Sequence, residues 1–160
     1  MKHKRIILVG RAASGKDHLR KTLEARGFKY AVSYTTRPPR EGEVDGKDYF
    51  FLTKEEATRM IERGEFYEWV EFNGWIYGTS NDQFYNDDVF IMTPTGISHI
   101  SEEGRKNSFV IFLDISEEIR RERMLSRHMP GDSVERRLEA DRKDFETFTN
   151  YDIKITDPNF

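Results

Sequence analysis

Hydrophobic positions along the chain recur in two rhythms. Ile6-Ile7-Leu8-Val9 is an unbroken aliphatic run ending at Gly10, the pattern of a strand buried on both faces, and the strand is read from Lys4 to Val9. From Gly15 to Arg26 the period lengthens: Leu19 and Leu23 stand four apart on one helical face, and Gly27 supplies the stop. Phe28 to Tyr34 reads as extended. Arg37-Pro38-Pro39-Arg40-Glu41-Gly42 reads as loop, because neither proline can donate to a ladder. Asp48 to Leu52 is a strand candidate, and Thr53, with Glu55 and Glu56 behind it, opens a helix that stops at Gly64. Phe66 to Phe72 alternates apolar and polar side chains, and Asn73-Gly74 is a two-residue hairpin turn into Trp75-Ile76-Tyr77.

Beyond the hairpin, Val89 to Thr93 and Ser108 to Leu113 have the character of buried strands, with a helix between them at about Ile97 to Lys106. Ser116, followed by Glu117 and Glu118, opens a helix that Pro130-Gly131 breaks; Asp132 or Ser133 caps the next, which runs to about Phe148, and Ile153 to Ile155 is a last strand. Strands alternating with helices predict an α/β fold, a parallel sheet with helices on both faces. The hairpin region, about residues 33–80, is expected to be a small mixed α/β insertion into a single domain spanning 1–160, whose core is 1–32 and 81–160.

Composition narrows the function classes. The 160 residues carry a net charge of −3, no cysteine, and 36% hydrophobic against 34% charged side chains, which suits one folded domain and argues against disorder. No apolar run approaches the roughly 18 residues of a membrane span, and no cleavage pattern marks an export signal, so the expected location is cytoplasmic. Without cysteine there is no disulfide, thiol nucleophile or Cys-ligated zinc, and His3, His18, His99 and His128 lack ligand spacing. A mildly acidic chain has no general pull towards nucleic acid or an anionic membrane, so any anion it binds must be gripped locally. Aromatics are in surplus, and eleven of the 21 fall between Tyr49 and Tyr85, where a small subdomain has no room for a deep aliphatic core.

One local grip is visible at once. Gly10-Arg11-Ala12-Ala13-Ser14-Gly15-Lys16 fits G-x-x-x-x-G-K, placed between a predicted strand and a predicted helix. Its glycines let backbone N–H groups wrap phosphate oxygens, the helix N-terminus adds positive potential, and Lys16 can reach the β- and γ-phosphates of a nucleotide. The next position in such loops is normally a Ser or Thr on Mg²⁺, and here it is Asp17. A carboxylate is a good ligand for a hard cation; the alternative is a plain acid in a first helical turn, which the helix dipole favours.

Ser33-Tyr34-Thr35-Thr36-Arg37-Pro38-Pro39-Arg40 and the stretch from Gly42 to Tyr49 resemble the GMP-binding segment of guanylate kinases. Gly64-Glu65-Phe66-Tyr67-Glu68-Trp69 and Tyr77-Gly78-Thr79-Ser80 match its later half in order and approximate spacing. With the phosphate loop the resemblance covers essentially the whole chain, strongly to Ser80 and loosely afterwards. It implies a P-loop NTPase-type sheet, a helical lid at about 123–137, and phosphorylation of GMP or dGMP by ATP with Mg²⁺, in a monomer or homodimer. It also implies that Arg37, Arg40, Tyr49 and Tyr77 hold the acceptor phosphate.

The residue chemistry agrees. Two arginines three apart in a proline-stiffened loop can clamp one phosphate through charge-assisted bonds, and each tyrosine can donate another. Guanine presents N1–H and a 2-amino group as adjacent donors, matched by the Glu68 carboxylate, and an O6 acceptor to which the Ser33 and Thr79 hydroxyls can donate. Adenine would face that carboxylate with a bare N1, a mismatch of roughly 1 to 3 kcal/mol or more. Tyr34, Trp69 and Trp75 are assigned to packing. Phosphoryl transfer needs positioning and cations more than a base. Arg123 and Arg127 lie four apart before the Met129-Pro130-Gly131 break and Arg137 follows it, positions similar to those of lid arginines in the family, so these three join Lys16 as catalytic candidates. Arg120, Arg121, Arg136 and Arg142 are expected to pair with acids on a solvated face.

The chain departs from the family in three places. The strand ending Ile91-Met92-Thr93 lacks the aspartates found there in guanylate kinases, and a carboxylate moved to Asp17 is the expected replacement at the metal, with Asp114 a weaker candidate. Asn81 to Asp88 is shorter than the helix usual at that point, and Thr156-Asp157 matches the adenine-side loop only loosely. Two alternative functions stand beside the first: a ribose 1,5-bisphosphate phosphokinase-like enzyme, which has no need of Ser33, Glu68 and Thr79 as guanine readers, and a non-catalytic phosphopeptide-binding scaffold, which has no need of Gly10, Gly15 and Lys16.

Overall fold

The computed structural model describes residues 5–127 and 131–160. Lys4, at the head of the expected first strand, and Pro130, the expected helix break, lie outside the described residues, as do His3, His128 and Met129. In chain order the elements begin with β1 (Arg5–Gly10), α1 (Lys16–Ala25), β2 (Tyr34–Thr35), β3 (Phe50–Phe51), α2 (Lys54–Glu62), β4 (Phe66–Phe72) and β5 (Trp75–Ser80). They continue with α3 (Asn81–Asn86), β6 (Val89–Ile91), α4 (Pro94–Ser98), α5 (Glu102–Lys106), β7 (Ser108–Leu113), α6 (Glu117–Ser126), α7 (Gly131–Phe145) and β8 (Ile153–Ile155).

Two sheets result. The first is parallel throughout, in the order β6-β1-β7-β8, and β1 pairs over its whole length with β7, from Arg5 opposite Ser108 to Gly10 opposite Leu113. A central parallel strand is covered on both faces, which is why Ile7, Leu8 and Val9 are all fully buried and why the sequence shows no alternation there. The extended stretch after α1 runs beside β6, with the Ala31 N–H donating to the Val89 carbonyl at 2.8 Å. The second sheet, β3-β2-β5-β4, is built wholly from the chain between the first strand and β6. Its long hairpin turns at Asn73 and Gly74, both in the left-handed region at φ 55° and 80°, as a tight two-residue turn demands.

Caps explain several boundaries. Thr53 and Glu56 form a reciprocal capping box at the start of α2, and Ser80 with Gln83 forms another that starts α3 directly off β5. The single helix expected over Ile97 to Lys106 is instead two short ones. Thr93 caps α4 with Pro94 in its first turn, Ser101 caps α5, and the Tyr67 hydroxyl accepts the Ser101 N–H at 3.1 Å, holding the break open. The last helix begins at Gly131, ahead of the expected caps Asp132 and Ser133, and ends at Phe145 rather than Phe148. Phe148 turns back instead to pack edge-on against Phe112 and Phe145.

The core packs Ile7, Val9, Phe84, Phe90, Val110 and Phe112 around the parallel sheet. A second cluster matters more for function: Met124 on α6 with Val134 and Leu138 on α7 packs against Ala12 and Ala13, so these helices seat the glycine loop from outside. Among the described residues no helix is long and apolar enough to cross a membrane.

Candidate active site

The loop between β1 and α1 is shaped by close backbone approaches. A Cβ at Gly10 would meet Ser14 Oγ at 2.5 Å and the Leu113 carbonyl at 2.9 Å, and Gly15 holds φ +98°, so both glycines are required by geometry. Lys16 arches back over the loop, its Nζ donating to the carbonyls of Gly10 at 2.5 Å and Arg11 at 3.1 Å. Burial, then the nearby charge of Arg137, pushes the Lys16 ammonium down to about 8, with Arg120 and Arg127 adding to the same effect. Lys16, Arg127 and Arg137 thus share one strongly cationic neighbourhood.

The other loop residues divide by task. Arg11 turns away to Asp114 at 2.9 Å, over the ring of Phe145, so it braces the loop from the side. Asp114 is thereby committed to Arg11, with Lys154 3.9 Å away. Ala12 donates its N–H to the buried carboxylate of Asp141 at 2.9 Å, and Arg123 donates to the Ala13 carbonyl at 2.9 Å and to the Pro158 carbonyl at 3.0 Å. Ser14 has a buried hydroxyl with no protein partner.

Asp17 differs from its expected place as a bare metal ligand. The i, i+3 and i, i+4 spacing on α1 brings Arg20 and Lys21 onto its carboxylate, Lys21 at 3.3 Å. Among the described residues no three His, Cys, Asp or Glu side chains gather to hold a metal ion. Arg120 also departs from expectation. It is buried rather than solvated, donating to the Ile115 carbonyl at 3.0 Å and lying 3.7 Å from Asp141, because α6 turns that face onto α7. Arg121 and Arg142 do pair with acids, on Glu135 and Glu117.

Across the cleft, β5 presents Tyr77 and Thr79 two residues apart, hence on one face of the second sheet. Arg37 is buried and lies 5.1 Å above the Tyr49 ring, and Tyr49 meets Tyr77 edge-on at 6.2 Å, so three of the four expected phosphate ligands converge. Their organiser is Glu43, which had no role in the sequence reading: it takes Arg37 in a fork of 2.9 and 3.0 Å and also accepts the Arg40 N–H at 2.7 Å. The Arg40 side chain itself is exposed and makes no bond within this group. Ser33 is half-buried at the head of β2, its carbonyl accepting from Phe50 N at 2.9 Å.

The antiparallel register sets Glu68 opposite Thr79. Thr79, read from sequence as a donor to guanine O6, instead gives its proton to Glu68 Oε1 at 2.9 Å and so orients the carboxylate. Glu68 is only 7% exposed, and burial pushes its carboxyl up to about 7, the Thr79 hydrogen bond opposing. A Cβ on Gly96 would come within 2.9 Å of Glu68 Oε2, so the start of α4 closes tightly on this group. A cavity of about 390 Å³ opens here, lined by Glu68 and Phe72 of β4, by Thr93 and His99 at the ends of α4, and by Asp144 of α7. The Arg137 guanidinium lies 5.6 Å from the Phe72 ring, which joins the lysine neighbourhood to this cavity.

The comparisons with known proteins point one way. A family model described as guanylate kinase matches residues 2–160. A guanylate kinase of Aster yellows witches'-broom phytoplasma (strain AYWB) is 42% identical over 68% of this chain, a stretch that spans 56% of that relative's length. The guanylate kinase of Bacillus subtilis (strain 168) is 33% identical over 96% of this chain and 80% of its own. The crystal structure of guanylate kinase from Anaplasma phagocytophilum shares the fold, with a TM-score of 0.73 over 99% of this chain and 80% of that one, at 24% identity.

Proposed function

Because this chain belongs to the guanylate kinase family, we propose that it transfers the γ-phosphoryl group of ATP to the phosphate of GMP or dGMP, releasing ADP and GDP or dGDP. The observation that carries this reading is the buried Glu68 carboxylate, held by Thr79 on the sheet face that also bears Tyr77 and its neighbours Tyr49 and Arg37. A base-reading acid and a phosphate clamp at adjacent positions suit a purine nucleoside monophosphate, and the acid suits guanine. The ribose bisphosphate kinase and the scaffold are not favoured, since the family model and the relatives just described are guanylate kinases.

In the reaction the loop N–H groups and Lys16 bind the donor phosphates, displacing Lys16 from the Gly10 and Arg11 carbonyls. Arg37, Tyr49, Tyr77 and Arg40 hold the acceptor phosphate in line with the donor. Arg137 and Arg127 neutralise charge growing on the transferred group, and Arg123 keeps the loop in place through Ala13. Magnesium enters with ATP as the counter-ion of its phosphates. Among the described residues no donor set builds a resident site for it, and Asp17 is engaged by Arg20 and Lys21. We place the enzyme in the cytoplasm, as a monomer or homodimer with no nucleic-acid or membrane partner.

A coupled assay of ADP release tests the reading with GMP, dGMP, AMP, UMP and ribose 1,5-bisphosphate as acceptors. GMP or dGMP should be preferred over AMP by at least about tenfold, the equivalent of one mismatched buried hydrogen bond. Turnover of ribose bisphosphate alone, or of no acceptor, overturns it. The raised Glu68 carboxyl adds a pH signature. The folded chain holds a proton there that the unfolded chain has lost between about 4.5 and 7, so this group's contribution to stability falls as pH rises through that window and is level above it. Guanine donors need the ionised form, so GMP binding should tighten from pH 6 to pH 8. Titrating Glu68→Gln in parallel removes the nucleotide phosphate's own titration, and an equal pH dependence in both proteins would refute the assignment.

A further inference from the structure

We propose that Asp144 is a second acidic reader of the guanine base, accepting the 2-amino hydrogen that Glu68 does not take. This inference rests on the guanylate kinase reading and extends it to a residue that lines the same cavity from α7. Helix α7 presents Arg137, Asp141 and Asp144 at i, i+4 and i+7, a spacing that puts all three on one face. The upper two have visible employment there: Arg137 lies beside Lys16 and over Phe72, and Asp141 holds the Ala12 N–H and Arg120. Asp144 lies on the same face one turn further on, lines the cavity with Glu68, and has no hydrogen-bond or ion-pair partner among the described residues. The charges that act on it are those of Asp141 and Arg137 on its own helix.

The cavity receives the base and not the phosphate, since it is lined by Glu68 but by none of Arg37, Arg40, Tyr49 or Tyr77. Guanine offers three hydrogens along this edge, one on N1 and two on the 2-amino group. A single carboxylate can accept the N1 hydrogen and the amino hydrogen beside it, which leaves the other amino hydrogen in need of a second acceptor. Of the other polar groups lining the cavity, Thr93 Oγ1 already takes the Gly96 N–H at 3.0 Å, and Thr95 and His99 are exposed. Asp144 is the half-buried carboxylate among them, a stronger acceptor than the Thr93 hydroxyl, and an amino hydrogen without such a partner would be buried unpaired.

The test is a comparison of GMP with IMP, which keeps N1–H and O6 but lacks the 2-amino group. Wild type, Asp144→Asn and Asp144→Ala are assayed for kcat/KM with each nucleotide, and titration calorimetry measures binding of each in parallel. Thermal melts establish that both variants fold. The expected result is a loss of about tenfold in the GMP-over-IMP preference of both variants, with IMP affinity changed less than twofold. Equal losses for the two nucleotides would place Asp144 on the ribose or in structure and overturn the inference, as would an unchanged preference. The binding arm stands even if the wild type turns over neither nucleotide, a result that would defeat the kinase reading by itself.

Discussion

Lys16→Met should lower kcat/KM by about a thousandfold or more while leaving the fold intact. Methionine keeps the length and much of the volume of lysine and removes only the ammonium. That group now spans the carbonyls of Gly10 and Arg11, and the Arg11 carbonyl keeps the Ser14 N–H at 3.2 Å without it, so the native state loses little. The nucleotide complex loses a great deal. The site has already concentrated Arg137, Arg127 and Arg120 around this lysine strongly enough to help push its ammonium down, a like-charge crowding that polyanionic phosphates relieve. Removing one such preorganised cation from a water-poor site costs about 3 to 4 kcal/mol in the transition state, which is the thousandfold. Steady-state kinetics and a melting curve decide it: activity within tenfold of wild type would sink the role, and loss of the folded state would show that the lysine is structural.

Asp141→Ala should be the most destabilising single change in the site, by about 3 to 5 kcal/mol, a fall in melting temperature of roughly 10 °C. Its carboxylate is 5% exposed and serves two partners, the Ala12 N–H at 2.9 Å and Arg120 at 3.7 Å. Arg120 is itself buried, and one of its terminal nitrogens has no hydrogen bond even now. Truncating the acid leaves that guanidinium buried without its counter-charge and frees the loop N–H at once. Replacing Arg120 and Asp141 together, by Leu and Ala, should recover much of the loss, because the penalty lies in the orphaned charge. A double variant as unstable as the single one would refute this account.

The parts legible in the sequence are those whose geometry is local. The loop from Gly10 to Lys16 needs only a strand before it and a helix after it, and both follow from side-chain period. The pairing of Glu68 with Thr79 is nearly as local: a tight turn at Asn73-Gly74 sets Phe72 opposite Trp75, and counting outward brings residues 68 and 79 face to face. Glu43 was within reach for the same reason, lying six residues beyond Arg37 in a stiff loop. Asp141 and Arg120 were not. Each reads as an ordinary charged position on a polar helix, and their meaning comes from a contact with Ala12 made across 129 positions of chain. The break between α4 and α5 was hidden likewise, since Tyr67 supports it from another sheet.

Helix α7 carries a consequence for how the enzyme can change over generations. Under the roles proposed above, three tasks hang on one face of one rod: charge at the phosphoryl group, the clasp on the glycine loop, and the open acid at the cavity. Point changes can adjust any one of them. An insertion or deletion of a single residue between 137 and 144 cannot, because it turns one end of the rod by about 100° relative to the other and takes the base wall out of phase with the loop. Length variation among relatives should therefore collect in the connections on either side of this segment and spare its eight residues, while the hairpin tip, where a Cβ on Gly74 would meet nothing within 4 Å, has room to grow.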